Sequence, residues 1–266
     1  MSIVKRVVEN VYARLLSKNI KDAVATLMDG CCENNDFYKS YLRGNVIRIA
    51  ADADFISSHL SVNSSVLDIG AVPPLMVELL RKKGFKDLEI ADPHPEPFRV
   101  YYLKSGVVAR KVNLLTMQDE ELYGKYDIVC LNEVVEHISG NLLKAIENAI
   151  NCLKPGGHLF ITTPNLRSIW GLVAIIFMSS GLASKPISRV REQYDRSSAK
   201  YGYYGHLREY TKKEIIELFE SFGLIFKDCM FQKNYMYLGF LTFPIAIIEI
   251  LFPSWRLFGK YLFEKK

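Results

Sequence analysis

Between residues 64 and 165, short apolar runs alternate with longer stretches of helical character. The apolar runs are typical of buried strands and cover 65–70, 87–92, 107–112, 126–132 and 158–164. The stretches with helical periodicity are 75–84, 95–104 and 141–154. Strands separated by helices of this length form right-handed βαβ units, whose parallel sheet carries helices on both faces. The pattern therefore predicts an α/β fold with a doubly wound, Rossmann-like, mostly parallel sheet.

The sequence on either side of this pattern divides the chain into three parts. Residues 1–60 predict an N-terminal helical cap, beginning with an amphipathic helix over the first 16 residues. Residues 61–232 hold the α/β domain, which closes with a helix over 211–223 and a strand over 224–232 and contains an insert at 166–210. Residues 233–266 predict an apolar and basic C-terminal extension.

The start of the chain and its cysteines indicate the compartment. The first helix lacks the apolar core and cleavage site of a signal peptide, so we do not expect secretion. The spacing of the 5 cysteines does not match that of a metal site, and we interpret them as reduced thiols. We therefore expect a cytoplasmic protein.

Polar residues follow the predicted strands at the edge of the sheet where ligands bind. Asp92 closes the second strand, where a carboxylate can hold both hydroxyls of a ribose. Gly70 follows the first strand and lets a ligand lie against the backbone. The motifs G-x-G-x-x-G and G-x-x-x-x-G-K-[ST] are absent from the sequence, which disfavours a dinucleotide cofactor and a nucleoside triphosphatase.

Four ordered motifs carry a resemblance to a known family: VLDIGAVPP (66–74), IAD (90–92), DIVCLNEVVEHI (127–138) and LKPGGHLFITTPN (153–165). They resemble class I S-adenosylmethionine-dependent methyltransferases, and among these the group with the ubiquinone-pathway O-methyltransferases and many sugar and glycan methyltransferases. The resemblance covers roughly residues 60–230 and implies S-adenosylmethionine as the cofactor. The residues it assigns to cofactor binding are Asp68, Gly70, Ala71, Asp92, Asn113, Leu114, Asn132 and Glu133.

Within that set, the resemblance implies a role for each region of the cofactor. Asp68 and Gly70 would border the methionine part, and Asp92 would bind the ribose. Leu114 would flank the adenine, and Asn132 would lie beneath the sulfonium. The sequence departs from the family where two further glycines are usual, because Val72 and Pro74 occupy those positions and stiffen the loop.

Glu133, Glu136 and His137 have the spacing i, i+3, i+4, which places them on one face of a helical turn. Two neighbouring carboxylates repel each other unless a cation or a proton lies between them. The set resembles the E-x-x-E-H magnesium site of ubiquinone-pathway O-methyltransferases. It also resembles small-RNA 2′-O-methyltransferases, in which a later histidine completes the site, and His206 stands at the corresponding place.

This resemblance leaves alternatives for the four residues. In the first alternative, these four residues hold Mg²⁺. In the second alternative, the pair Glu136 and His137 is only part of a structural turn. In the third, His137 or His206 acts as a general base without metal.

The insert carries a concentration of positive charge. Residues 184–213 contain eight basic and three acidic residues, a net +5 that equals the formal net charge of the whole chain. Five tyrosines are interleaved with these cations. Because Arg and Lys bind phosphate and Tyr offers a flat face to a sugar or base, the insert predicts an anionic acceptor such as a phosphate-bearing small molecule or a nucleotide- or lipid-linked glycan. The alternative is a solvated loop.

Two apolar segments, 169–183 and 235–252, indicate contact with a membrane surface. The second has one charge, Glu249, and is followed by Trp255, Arg256, Lys260, Lys265 and Lys266. Aromatic and cationic residues beside an apolar helix are typical of an interfacial anchor, here peripheral on the inner membrane face. A buried cap and a dimer interface are the alternatives, and the oligomeric state stays open.

We therefore expect an O-methyltransferase that acts on a sugar, glycan or lipid-linked acceptor. A ribose 2′-O-methyltransferase of RNA is the alternative among enzymes, although no separate RNA-binding module is evident and nucleic acid is the less favoured partner. A degenerate methyltransferase fold acting as a binding or scaffold protein is the alternative from another class. Titration with S-adenosylmethionine distinguishes this scaffold hypothesis from the two enzyme hypotheses, because both enzymes must bind the cofactor.

Overall fold

The computed structural model describes residues 17–31, 36–117, 120–178, 205–232 and 243–266. They form two compact units, one containing the described residues up to Asn113 and the other those from Leu114 onward. Eight α-helices and seven strands of a mixed sheet lie in this described part of the chain. The predicted N-terminal helix over 1–16 lies outside the described residues, and so do residues 179–204 of the insert.

The first unit alternates helices with parallel strands, in the order α1 Lys18–Gly30, α2 Asp36–His59, β1 Val66–Ile69, α3 Leu75–Lys82, β2 Leu88–Asp92, α4 Arg99–Ser105 and β3 Val108–Lys111. Strand β2 pairs in parallel with β1 and with β3. Every residue of β1 and β2 is buried, as expected of strands covered by helices on both faces.

The N-terminal helices belong to the same unit as these strands. Helix α1 packs against α3 and α4, and α2 packs against α3. A Cβ on Gly30, at the end of α1, would lie 2.5 Å from the Cβ of Tyr101, so only glycine permits this approach. The predicted boundary at residue 60 does not separate two units in the structure.

The second unit has the element order β4 Tyr126–Asn132, α5 Leu142–Asn151, β5 Leu153–Pro164, α6 Ile169–Met178, α7 Lys212–Glu220, β6 Leu224–Gln232, α8 Phe243–Leu251 and β7 Phe258–Lys265. Strands β4 and β5 are parallel, with Val129 opposite Leu159. Strand β7 runs antiparallel to β5 on one side and to β6 on the other, which gives the order β4-β5-β7-β6.

The predicted α/β fold is confirmed, but strand β7 is a correction. Residues 258–265 were assigned to a C-terminal extension, whereas they form a strand between β5 and β6. Lys260 was assigned to a membrane-facing basic tail and is instead fully buried in this strand. Lys265 donates hydrogen bonds to the carbonyl oxygens of Ile150 and Leu153, at 2.9 and 2.8 Å.

Helix α7 begins where the sequence predicts. The Thr211 side chain accepts a hydrogen bond from the Glu214 backbone N–H at 3.3 Å, and the Glu214 carboxylate accepts one from the Thr211 backbone N–H at 2.8 Å. This reciprocal capping box satisfies two backbone donors at the start of the helix.

In the described part of the chain, no helix combines the length and apolarity needed to cross a bilayer.

Candidate functional site

In the first unit, three of the residues predicted to bind a cofactor lie in β1 or directly after it. Asp68 is a buried residue of β1, and Ala71 is also buried. Gly70 is exposed and has φ 72°, a conformation that favours glycine. Its backbone N–H donates to the carbonyl oxygen of Ala91 at 2.8 Å, which continues the pairing of β1 with β2.

Asp92, the last residue of β2, connects the loop after β1 to β2 by a hydrogen bond. Its carboxylate accepts hydrogen bonds from the backbone N–H of His94, at 2.7 Å, and of Val72. Burial raises the pKa of Asp92, although both hydrogen bonds act in the opposite direction. A carboxylate has about four lone-pair sites, so two backbone donors leave capacity for two hydroxyl groups. Asn113, after β3, is exposed.

Tyr102 on α4 is a feature of this unit that the sequence reading missed. Its hydroxyl is buried and has no hydrogen-bond partner among the described residues. Burial raises the pKa of Tyr102, and the charges of Asp92 and Asp68 raise it further. The structure thus places a buried hydroxyl close enough to two predicted cofactor residues for their charges to act on it.

In the second unit, the predicted residues at the end of β4 lie in an unusual backbone. Asn132 ends β4 opposite Thr162 of β5. Glu133 follows with φ 53°, the sole non-glycine residue with positive φ in the described part of the chain. Its N–H donates to the Thr162 carbonyl oxygen at 3.0 Å. Left-handed backbone at a non-glycine residue is strained and concentrates at functional sites.

Leu114 belongs to the same unit and is buried. Its carbonyl oxygen accepts a hydrogen bond from the side-chain amide of Asn148, at 2.7 Å. Asn148 lies on α5 and is itself buried. The backbone of Leu114, which is predicted to flank an adenine, is therefore fixed by a side chain of α5 in the same unit.

The predicted helical face for Glu133, Glu136 and His137 needs correction. The helical turn is a 3₁₀ turn that spans only Val135–His137. Glu133 precedes it with left-handed backbone and does not continue the helical spacing. Of the four residues predicted to bind metal, the structure brings Glu136, His137 and His206 together, with one ligand atom of each within 4.8 Å of the others. Glu133 is not part of this cluster.

Local hydrogen bonds hold the backbone of the cluster. The carbonyl oxygen of Glu136 accepts a hydrogen bond from the N–H of Leu207 at 2.7 Å. Glu136 is fully buried, and its carboxylate accepts a hydrogen bond from the Thr163 hydroxyl at 3.2 Å. The two imidazole rings lie edge to face, with centroids 4.8 Å apart. The segment that bears His206 is thus fastened to the turn that bears His137.

The hydrogen bonds of the two histidines define which ring nitrogen carries a proton. Nδ1 of His137 lies 2.7 Å from the carbonyl oxygen of Gly205, which can only accept, so Nδ1 donates. Nδ1 of His206 lies 3.0 Å from a carboxylate oxygen of Glu209 and likewise donates. In each neutral ring the lone pair is therefore on Nε2, the atom that can accept a proton or bind a metal.

Burial keeps His137 neutral. Burial lowers the pKa of this imidazole from 6.5 to about 4, and the nearby His206 lowers it too, against the hydrogen bond with Gly205. At neutral pH the ring is uncharged, which is the state required of a metal ligand or a general base.

Glu209 is a second residue that the sequence reading missed. Its side chain is almost completely buried, and it holds the ring of His206. A carboxylate that orients an imidazole is the usual support of a histidine that binds metal or moves protons. The H-x-x-E spacing in GHLREYT was a signal that could have identified it.

Only the C-terminal end of the basic stretch 184–213, from Gly205 onward, lies within the described residues. Arg208 pairs with Glu214 at 3.0 Å and lies 5.2 Å above the ring of Tyr210. Lys213 lies 3.6 Å from Glu217. These two cations have acidic partners, and a third, Lys212, lies 5.5 Å from the centre of the Phe226 ring. The prediction of an anionic acceptor therefore depends mainly on residues 184–204, which lie outside the described part of the chain.

Comparison with known proteins gives consistent matches. A family model described as a methyltransferase domain matches residues 12–225. The mitochondrial ubiquinone biosynthesis O-methyltransferase of Rattus norvegicus is 31% identical over 150 residues, covering 54% of this chain and 42% of that protein. Its counterpart in Shewanella pealeana is 25% identical over 168 residues, covering 62% of this chain and 65% of that protein. The chain thus spans less than two thirds of either relative.

Solved structures share the fold. The 1,6-didemethyltoxoflavin-N1-methyltransferase of Burkholderia thailandensis, solved with bound 1,6-didemethyltoxoflavin and S-adenosylhomocysteine, has a TM-score of 0.56 at 14% identity. The match covers 94% of this chain and 92% of that one. At this identity the likeness concerns the fold alone.

Proposed function

The chain belongs to the methyltransferase-domain family, and from this membership we propose that it transfers a methyl group from S-adenosylmethionine to an oxygen atom of its acceptor. The observation that carries the proposal is the cluster of Glu136, His137 and His206 after β4, in which burial keeps His137 neutral. The relatives named as O-methyltransferases support oxygen as the methylated atom.

The first unit has features that fit the cofactor. Asp92 retains capacity for two ribose hydroxyls, and the exposed Gly70 offers backbone without a side chain. Asp68, Ala71 and Asn113 complete the proposed cofactor residues of this unit, and Leu114, Asn132 and Glu133 are those of the second unit. When bound, S-adenosylmethionine supplies a methyl carbon that an acceptor oxygen takes by in-line displacement.

The second unit supplies the group that prepares the acceptor. A hydroxyl oxygen becomes nucleophilic as its proton leaves, and Nε2 of His137 carries the lone pair that receives this proton. Gly205 fixes the orientation of that ring, and Glu209 fixes the ring of His206. A pKa of about 4 makes His137 a weak base by itself, so an acceptor of lowered pKa suits the site.

A divalent cation such as Mg²⁺ would lower the pKa of the acceptor, and the cluster fits one. Oxygen and nitrogen ligands lie about 2.1 Å from such an ion, so two opposite ligands are about 4.2 Å apart. One ligand atom each of Glu136, His137 and His206 lies within 4.8 Å of the others, which is close to this spacing. We propose these three residues as the ligands.

We further propose that the acceptor is an anionic sugar, glycan or lipid-linked molecule. The net +5 of residues 184–213 supports this class. The test is to incubate the purified protein with methyl-labelled cofactor and a cell-envelope extract, and to identify the labelled product with and without a chelator. We expect label in a base-stable, anionic product and a loss of labelling on chelation.

Matched arms of this experiment separate the alternatives. Label in RNA rather than in envelope material would favour ribose methylation. Absence of cofactor binding together with absence of label transfer would favour a scaffold protein. Labelling that resists both the chelator and Glu136→Ala would exclude the metal but keep His137 as the base.

A further inference from the structure

A small cavity in the first unit contains none of the proposed cofactor residues. It has a volume of about 210 Å³ and opens between the C-terminal halves of helices α1, α3 and α4, each of which contributes to its lining. Sites for drug-sized ligands typically have volumes of about 300–1,000 Å³. A cavity of this size therefore fits a small metabolite.

The cavity lies away from the proposed cofactor site. Helix α3 follows β1 and returns the chain to the start of β2, and α4 does the same between β2 and β3. The C-terminal ends of both helices therefore lie near the amino ends of these parallel strands. Gly70 and Asp92 lie at the carboxyl ends of β1 and β2, which is the opposite edge of the sheet. A ligand in the cavity thus leaves the cofactor site open.

A buried carboxylate fixes the cation at the base of the cavity. Glu78 is fully buried, and its carboxylate accepts hydrogen bonds from Nε and Nη2 of Arg81, at 2.7 and 3.0 Å, and from the Tyr101 hydroxyl, at 3.0 Å. A guanidinium has five N–H groups, so three of those of Arg81 remain for a ligand. The orientation of this cation is therefore set before any ligand arrives.

Charges of both signs lie on the remaining walls. Lys104 of α4 and Asp29 of α1 line the cavity and are exposed, and neither forms a salt bridge in the described part of the chain. The Thr26 hydroxyl donates to the carbonyl oxygen of Asp22 at 2.7 Å, so its oxygen keeps lone pairs for a ligand donor. The cavity thus offers cationic donors from α3 and α4 and acceptors from α1.

This distribution of charge selects the class of ligand. An anion without a cationic group would meet the carboxylate of Asp29, and a cation without an anionic group would meet Arg81 and Lys104. A small zwitterion complements both sides, because charge-assisted hydrogen bonds form at each of its ends.

We propose that the cavity binds a free α-amino acid, whose carboxylate is held by Arg81 and Lys104 and whose ammonium group is held by Asp29. The proposal is independent of methyl transfer, because binding of the amino acid is measured without cofactor or acceptor.

The test is thermal unfolding of the full chain with each of the common amino acids at about 1 mM, followed by calorimetric titration of those that raise Tm. We expect saturable binding of at least one. Lys104→Gln and Asp29→Asn should each weaken it about tenfold or more, since each removes hydrogen bonds to a charged group. Both side chains are exposed, so the variants should fold. Lys86→Gln, at an exposed position outside the cavity, is the matched control.

Derivatives of the bound amino acid test its two ends separately. The N-acetyl derivative loses the positive charge and the carboxamide loses the negative charge, so each should bind about tenfold or more weakly. Derivatives that bind as tightly as the parent amino acid would contradict the assignment of the two ends.

Other outcomes overturn the proposal. They are a protein that binds none of the amino acids, and affinity that both variants leave unchanged. Binding that is lost in Asp92→Ala, or that saturating S-adenosylmethionine displaces, would assign the amino acid to the cofactor site instead. Binding of glucose 6-phosphate without binding of any amino acid would make the cavity a site for hydroxylated anions.

Discussion

At the scale of single residues, the chemistry depends on two histidines held in defined protonation states. Gly205 and Glu209 each accept the Nδ1 proton of one ring, so both Nε2 atoms carry lone pairs when the rings are neutral. Burial makes the neutral state of His137 the stable one at physiological pH. The positions of His137 and His206 were predictable from the sequence, but their tautomers depend on contacts that only the fold creates.

Acidification should reveal the lowered pKa of His137. A folded pKa of about 4 against 6.5 means that the unfolded chain binds the proton more readily, so stability is present above pH 6.5 and is lost as pH falls towards 4. This histidine should cost the wild type about 2 kcal/mol of unfolding free energy between pH 7 and pH 5. Urea denaturation of wild type and His137→Gln at both pH values measures the difference. Equal pH dependence in the two proteins would contradict the burial argument.

Glu209→Gln should weaken the binding of a divalent cation. The change keeps the volume of the side chain but removes the charge that orients His206, and the loss of such a supporting residue typically costs 10–100-fold in metal affinity. Calorimetric titration with Mn²⁺ is the measurement. Glu217→Gln, an exposed carboxylate on α7, is the control. Unchanged Mn²⁺ affinity in Glu209→Gln would show that Glu209 has only a structural role.

At the scale of elements, β7 completes the sheet of the second unit. It pairs with β5 and β6, and Phe263 on it is fully buried with its ring 5.3 Å from that of Phe219 and 5.7 Å from that of Phe226. The C-terminal residues are therefore a structural part of this unit, and their removal should unfold it.

Phe263→Ala should reduce the unfolding free energy by about 3–5 kcal/mol, the usual cost of deleting a buried aromatic side chain. Phe252→Ala removes the same atoms from a side chain that is 51% exposed and should cost less than about 1 kcal/mol. Chemical denaturation measures both. Similar losses in the two variants would contradict the placement of β7 in the core.

The sequence predicted the parallel strands and their helices because their apolar runs are local signals. It missed β7 because FGKYLFEK contains charged residues that look like a surface tail, and because its partners β5 and β6 lie far away in the chain. Lys260 in particular gives no local sign that it is buried. The placement of Glu133 on a helical face with Glu136 and His137 was wrong for a related reason. The spacing of the three residues fits a helix, but the left-handed backbone of Glu133 lies outside the helical turn.

At the scale of the whole molecule, family membership and the fold agree on a methyltransferase domain. Val72 and Pro74, which stand where the family usually has glycines, are the feature that most favours a degenerate binding protein. The structure gives Val72 a role compatible with a cofactor, because its backbone N–H donates to Asp92.

Calorimetric titration with S-adenosylmethionine tests the central claim most directly. We predict saturable binding with a dissociation constant between about 1 μM and 1 mM, the usual range for an enzyme and its substrate. Asp92→Ala should weaken it at least about tenfold, since it removes hydrogen bonds to a charged group, whereas Asp87→Ala, at an exposed position before β2, should not. Absence of binding at about 1 mM cofactor would contradict the account.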